Sequence, residues 1–263
     1  MADVPDDAID MRRIETLANW LIAGALPPRL VPDVVAEVGQ MVVASGVRLG
    51  ILEVMRMVVH PVLPASHTYW RPGHAVGRLD YAMEDVLSPN FIGSPPDIVM
   101  KTRRMVRHKF DEVEPEGEHP FMTYRRSRGY TECAFFPLHS VDGSILDLGA
   151  STRSVNDWTD QEIEVFRRIQ APIARVTEAM DLKKNTEELP STYVGRNAGG
   201  RILSGQVSRG DTDLIPAVIL FADLKNITAL SNSRAPSEVM AILNQFVDVF
   251  EPLITEHRGE ILK

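Results

Sequence analysis

A single cysteine, Cys133, stands among 263 residues. It has no partner for an internal disulfide and cannot build a Cys-based zinc cluster, which fits a reducing compartment. Long hydrophobic runs are missing too. The best stretches, Ile51 to Val59 and Ile215 to Ala222, fall far below the ~18 residues of a membrane span, and Met1 to Asp7 is acidic, without the apolar core of a signal peptide. Positive charge is in short supply: 28 Lys and Arg against 36 Asp and Glu give a formal charge of −8. Sequence-independent nucleic-acid binding needs a basic face to displace counterions from phosphates, so it is disfavoured. The histidines form no His-x-x-x-His pair, and the glycines between 195 and 205 lack a following Gly-Lys-Ser/Thr, which argues against a zinc site and a Walker loop. These absences describe a cytoplasmic globular protein with neither membrane nor nucleic acid as partner.

What is present supports two domains. An apolar share of 44% and a charged share of 24% match an ordinary globular chain. Val34, Val35, Val38, Met41 and Val42 recur at helical spacing after Pro32, with Gly46 as a stop. Val47 to Val59 is rich in β-branched and aliphatic residues and ends at His60-Pro61, which predicts a core strand. A basic helix is expected over Asp97 to Lys109. Its cations, with Arg125, Arg126 and Arg128, read as solvated or ion-paired faces. Tyr130 to His139 and Ser144 to Thr152 flank Val141-Asp142-Gly143, a hairpin signal. Trp70 and Trp158 read as packing anchors, and Cys133, next to Ala134 and two phenylalanines, as a buried small hydrophobe.

Thr159 stands three residues before Glu162, the spacing of a capping box, so a long helix should start there. Phe166, Ile169, Ile173, Val176 and Met180 follow at intervals of 3, 4, 3 and 4, which suits either the seam of a dimeric coiled coil or a helix packed within a bundle. Glu187 to Pro190 should break the helix, and the glycine-rich stretch Tyr193 to Gly210 reads as a linker. Leu214 to Phe221 predicts a strand buried on both faces. Pro236 to His257 predicts an amphipathic helix, with Gly259 beyond it. Glu260 to Lys263 resembles a strand that begins without room to finish, so the chain reads as cut inside a domain.

A carboxylate directly after a buried strand sits at the mouth of a sheet, where hard divalent cations find oxygen ligands. Asp223 is therefore the metal-ligand candidate, with the amides after it and the Thr228 hydroxyl as phosphate donors. The segment Phe221 to Ser231 resembles the first metal motif of class III adenylate/guanylate cyclases. Tyr193 to Gly210 resembles their connector, and His257 to Lys263 the start of their second motif. The resemblance implies a two-metal mechanism on ATP with Mg2+ or Mn2+. Asp223 would bridge the ions and Leu224 would offer its carbonyl. Asn226, Ile227 and Thr228 would hold the phosphates, and Lys263 would read the adenine ring, favouring ATP over GTP. Asn226-Ile227 replaces the Gly-Phe common in that family. The second aspartate lies beyond residue 263, so this chain is expected to be inactive by itself.

The segment from Val31 to Lys183 resembles a GAF-type sensory domain, a family whose members bind a small molecule on one face of the sheet or dimerise. The expected fold is α+β. An N-terminal helix or tail over 1–30 precedes a GAF-like antiparallel sheet with flanking helices over 31–185. After the closing linker helix, a linker or transducer over 186–212 leads to the strand-helix-strand start of a ferredoxin-like class III cyclase domain over 213–263. The expected function is the regulatory part of a homodimeric adenylate cyclase; the alternative is a non-enzymatic GAF-like ligand-binding or dimerisation module.

Overall fold

A computed structural model describes the chain apart from residues 1–7, 28, 58–64, 111–114, 206–207, 209–215, 217, 258, 260 and 262–263, and apart from the side chains of 188–189, 191–194 and 196–197. It divides into two compact units, Met1–Leu182 and Lys183–Lys263.

The first unit opens with α1 (Met11–Ile22), started by Asp10, whose carboxylate accepts the N–H groups of Arg12 and Arg13. Next comes α2 (Val31–Ala44), with proline in its first turn and Gly46 beyond its end at φ 100°. Strands β1 (Ile51–Met57), β2 (Ala65–Trp70) and β3 (Gly77–Tyr81) lead to the short helices α3 (Met83–Val86) and α4 (Pro95–Thr102). Strand β4 (Val106–Lys109), helix α5 (Pro120–Ser127), strands β5 (Glu132–His139) and β6 (Ile145–Thr152), and helix α6 (Asp160–Leu203) follow. The strands form one six-stranded sheet in the order β3-β2-β1-β6-β5-β4, with every neighbouring pair antiparallel. An antiparallel sheet with helices on both faces is the GAF-like architecture expected from the sequence.

Alternation along the strands separates the two faces. Leu52 and Val54 of β1 lie in register with Ala150 and Leu148 of β6, and Ala134 and Phe136 of β5 continue the row. This apolar face packs against Ile14 and Leu17 of α1, Val35, Val38 and Val42 of α2, and Phe166, Ile169 and Ile173 of α6 in one core. The opposite face is covered by α4 and α5, through Val99 and Met122 packed on Cys133 and Phe135.

The β5–β6 hairpin pairs as its Asp-Gly turn signals, from Glu132↔Thr152 to His139↔Ile145. At the start of α6, Thr159 N–H donates to Glu162 Oε2 at 2.8 Å and Glu162 N–H to Thr159 Oγ1 at 3.2 Å, the reciprocal bonds of a capping box.

Four expectations are corrected. The basic segment is not one helix: α4 ends at Thr102, Arg103 takes a left-handed backbone (φ 59°), and residues 106–109 pair with β5. The open edge of β5 outweighs helix propensity there. The 3-4-3-4 stripe of α6 lies on the sheet of its own chain, with Phe166, Ile169 and Ile173 fully buried. Each such side chain stabilises the fold by roughly 1.5–3 kcal/mol. The helix does not break at Glu187 to Pro190; it leaves helical geometry at Gly195, at φ 82° and ψ 161°.

In the second unit, residues 214, 215 and 217 of the buried strand expected over Leu214 to Phe221 lie outside the described residues, and the remainder of it is not a strand. Residues 218–221 carry no strand assignment, and Val218 and Phe221 are 98% and 91% exposed. A strand needs a paired neighbour for its backbone groups, and among the described residues after Thr152 no strand exists to provide one. The ferredoxin-like strand-helix-strand start is therefore absent from the described residues. Helices α7 (Ile227–Ser233) and α8 (Pro236–Glu256) are present, α8 with its proline in the first turn and Val249 and Leu253 exposed. Among the described residues no helix is long and apolar enough to cross a membrane.

Glycine at position 39 is a packing requirement. A Cβ there would lie 2.1 Å from Cε3 of Trp70, a buried ring that closes α2 onto β2. Alanine normally stabilises a helix interior by about 0.5–1 kcal/mol over glycine. At this position Gly39→Ala should instead destabilise by about 1–3 kcal/mol through overpacking, read as a lowered midpoint in urea unfolding.

Candidate functional site

The sheet face under α3, α4 and α5 carries charge where the other face carries aliphatics. The alternation that points Leu52 and Val54 one way points Glu53 and Met55 the other. In register beside them stand His67 on β2, opposite Met55, and Asp147 on β6, also opposite Met55. Tyr81 ends β3, and Arg125 enters from α5. These residues line a cavity of about 260 Å³ whose remaining walls include Val86, Phe91, Pro96, Phe121 and Phe135.

Glu53 is the centre of the polar network. Its Oε1 pairs with the Arg125 guanidinium, and its Oε2 lies 3.2 Å from His67 Nε2. His67 Nδ1 is 3.5 Å from the Tyr81 hydroxyl. Arg125 also reaches Ser151 Oγ at 3.4 Å, and its guanidinium stacks 4.9 Å over the Phe121 ring and 5.6 Å over that of Tyr130. Gly149 makes the arrangement sterically feasible. A Cβ at that position would lie 2.7 Å from the Phe135 ring and 2.8 Å from Glu53 Oε1, so the missing side chain is the lane in which Glu53 lies.

Two buried carboxyls a strand apart are driven in opposite directions. Burial would raise the Glu53 carboxyl, but Arg125 and His67 outweigh it and hold it down at about 2. Asp147, only 2% exposed, has no such partner: its Oδ2 makes no hydrogen bond among the described residues. Burial, reinforced by the Glu53 charge, pushes it up to about 7. Burial, with the charges of Glu53 and Asp85, likewise raises the Tyr81 hydroxyl. Desolvation raises the Cys133 thiol to about 12, so this residue is the inert small hydrophobe its neighbours imply.

The basic residues singled out in the sequence are largely paired. Arg107 bonds Glu132, Lys109 bonds Asp157, Lys101 bonds Asp97 and Arg126 bonds Glu118. Arg125 was legible only as one of these cations. The signal for the site was a lone acid inside each of two apolar strands, Glu53 in Ile51–Met57 and Asp147 in Ile145–Thr152.

The described residues expected to hold metal and nucleotide lie in the second unit. Asp223 is exposed on a segment that forms no strand. The Leu224 carbonyl accepts the Ile227 N–H at 3.3 Å within a turn. Asn226, at φ 65°, precedes α7, while Ile227 and Thr228 lie inside that seven-residue helix. Lys263 lies outside the described residues. Among the described residues no group of three or more His, Cys, Asp or Glu could hold a metal ion. A lone exposed carboxylate does not fit the pair of cations that the cyclase resemblance implies.

No protein-family model matches the sequence, and no curated protein sequence does. Solved structures of similar shape include the phycocyanobilin-bound GAF domain of a cyanobacterial phytochrome, at 12% identity and TM-score 0.45, covering 65% of this chain and 96% of that one. The GAF domain of a two-component sensor histidine kinase from Bacillus halodurans matches at 10% identity and TM-score 0.42, over 56% and 96%. A GAF sensor protein from Burkholderia vietnamiensis matches at 12% and 0.41, over 72% and 99%. Likenesses this remote carry no functional argument.

Two stability predictions follow from the network. An ordinary aspartate ionises near 3.8, whereas Asp147 in the fold holds its proton to about 7. Between those values the native state binds a proton that the unfolded chain has lost, so this contribution to stability falls as pH rises through the window and is level above it. Asp147→Asn should remove that fall and raise stability at pH 8 by about 2–4 kcal/mol, measured by urea unfolding at pH 5 and pH 8. Arg125→Met strands a buried Glu53 charge and should cost about 3–5 kcal/mol. The double variant Glu53→Gln/Arg125→Met should lose less than the single one in the same assay.

Proposed function

We propose that the first unit is a GAF-type ligand-binding and signalling module whose ligand occupies the cavity between the sheet and α3–α5. The supporting observation is the cavity itself: about 260 Å³, walled by aromatic and aliphatic side chains, with a few convergent polar groups. That composition is typical of small-molecule sites, and titratable groups pushed in opposite directions cluster at such sites. Glu53, His67 and Arg125 are committed to one another, which suits a rigid recognition surface more than proton transfer.

The route from ligand to output runs through β1. Glu53 and Met55 face the cavity, while the next residue, Arg56, faces the other side and pairs with Asp181 on α6. Both partners of that pair are largely withdrawn from solvent, so a shift of β1 on ligand binding is transmitted to α6 through a contact that water screens weakly. The coupled element is the helix that leaves the domain.

The narrower reading, the regulatory part of an adenylate cyclase, is supported only by the sequence resemblance of Tyr193 to Gly210, Phe221 to Ser231 and His257 to Lys263. This chain by itself is expected to form no cyclic AMP from ATP; an aspartate preceded by glycine, encoded four codons past Lys263, would strengthen the reading.

Binding of a ligand to the native state raises the unfolding temperature. Fractions of a cellular small-molecule extract should therefore include one that raises the unfolding temperature of the wild type and leaves Val86→Trp, whose indole fills the cavity, unchanged. The same fraction should slow hydrogen exchange in β1 and around Asp181 of α6. If every fraction leaves the wild type unmoved, or moves both proteins equally, the cavity is not a ligand site.

A further inference from the structure

We propose that the cavity takes a small molecule carrying a protonated nitrogen group (ammonium, amidinium or guanidinium) on a flat apolar body, with the nitrogen group against Asp147. This rests on reading the cavity as a ligand site and adds the chemistry of what it recognises.

The argument begins with which charges are already matched. Arg125 is held by Glu53, and His67 by Glu53 and the Tyr81 hydroxyl. Arg125 Nε makes no hydrogen bond, but its guanidinium is neutralised by Glu53 and stacked on the Phe121 and Tyr130 rings. Asp85, at the cavity wall, accepts the Ala82 N–H at 2.9 Å. Asp147 is left as a buried acceptor without a donor. The groups that act on Asp147 are Glu53 from β1, His67 from β2 and Arg125 from α5, and the cavity they share has two more carboxylates than guanidinium groups.

An anionic ligand would meet unmatched carboxylates and no cation that is not already paired. A neutral ligand could at most donate a hydrogen bond to Asp147 and would leave its charge unmatched. A cationic nitrogen supplies both the charge and the N–H donor that a buried carboxylate requires. The walls favour a flat apolar body, because Phe91, Phe121 and Phe135 present rings, and Met55, Val86 and Pro96 present apolar surface.

Benzamidine, benzamide and benzoate share one shape and differ in charge, so calorimetric titration with all three separates charge from fit. Benzamidine should bind tightest at pH 8. Its affinity should fall about tenfold by pH 6 as Asp147 takes up its proton, and Asp147→Asn should weaken it at least about tenfold at pH 8 and abolish the pH dependence. Carbon-13 NMR of the Asp147 carboxyl in the wild type gives a readout independent of the variant's folding: saturating benzamidine should lower its titration midpoint. Equal or tighter binding of benzamide or benzoate, or an unmoved midpoint with benzamidine bound, overturns the inference. If none of the three binds while an extract fraction still gives a Val86→Trp-sensitive shift, the cationic ligand is wrong and the ligand site stands. If the extract also fails, both fall together.

Discussion

A carboxylate and a guanidinium buried against each other on the underside of a sheet set the terms for the rest of this molecule. Glu53 and Arg125 are both almost fully withdrawn from solvent. Either one alone would carry a desolvation penalty of several kcal/mol, so helix α5 must stay where its arginine meets β1. That requirement, with Phe121 packed edge-on against Phe135 at 5.7 Å between ring centroids, props α5 over the sheet. The space beneath is the cavity. Gly149 belongs to the same constraint, since any side chain there would occupy the path of Glu53. Asp147 follows from it by subtraction: one arginine serves one carboxylate, and the second is left with its proton held to about 7.

The two faces of the sheet divide the work. One is an aliphatic and aromatic layer on which α1, α2 and α6 close, and its burial provides the stability that tolerates charge on the other. The pleat of β1 places the two environments one residue apart, with Glu53 and Met55 toward the cavity and Arg56 toward Asp181 of α6. A rigid strand with a recognition residue on one face and an ion pair to the outgoing helix on the other is a short physical path from occupancy to output.

Signals confined to a few neighbouring residues were read correctly. The Asp-Gly turn, the Thr159–Glu162 capping box, the helix after Pro32 and the burial of Cys133 each depend on local geometry or on a side chain's own polarity, which the chain carries wherever it goes. Readings that needed a partner went astray. Residues 106–109 became a strand because β5 offered an edge. Residues 218–221 did not, although they are among the most apolar in the chain, because the described part of their unit offers none. The stripe from Phe166 to Val176 was legible as buried, but nothing in its spacing distinguishes a second helix from the sheet of the same chain.

The candidate site shows the same division. Glu53 and Asp147 could be noticed as acids inside apolar strands, but their meeting with His67, Tyr81 and Arg125 depends on the register of β1 against β2 and β6 and on the seat of α5. By itself the sequence determined the first-unit helix starts, the hairpin turn and the buried stripes, because capping, turn chemistry and hydrophobic spacing are properties of short segments. Only the tertiary structure decided which carboxylate received the arginine and which was left without one, because pairing energies depend on distances that exist once distant strands are brought side by side.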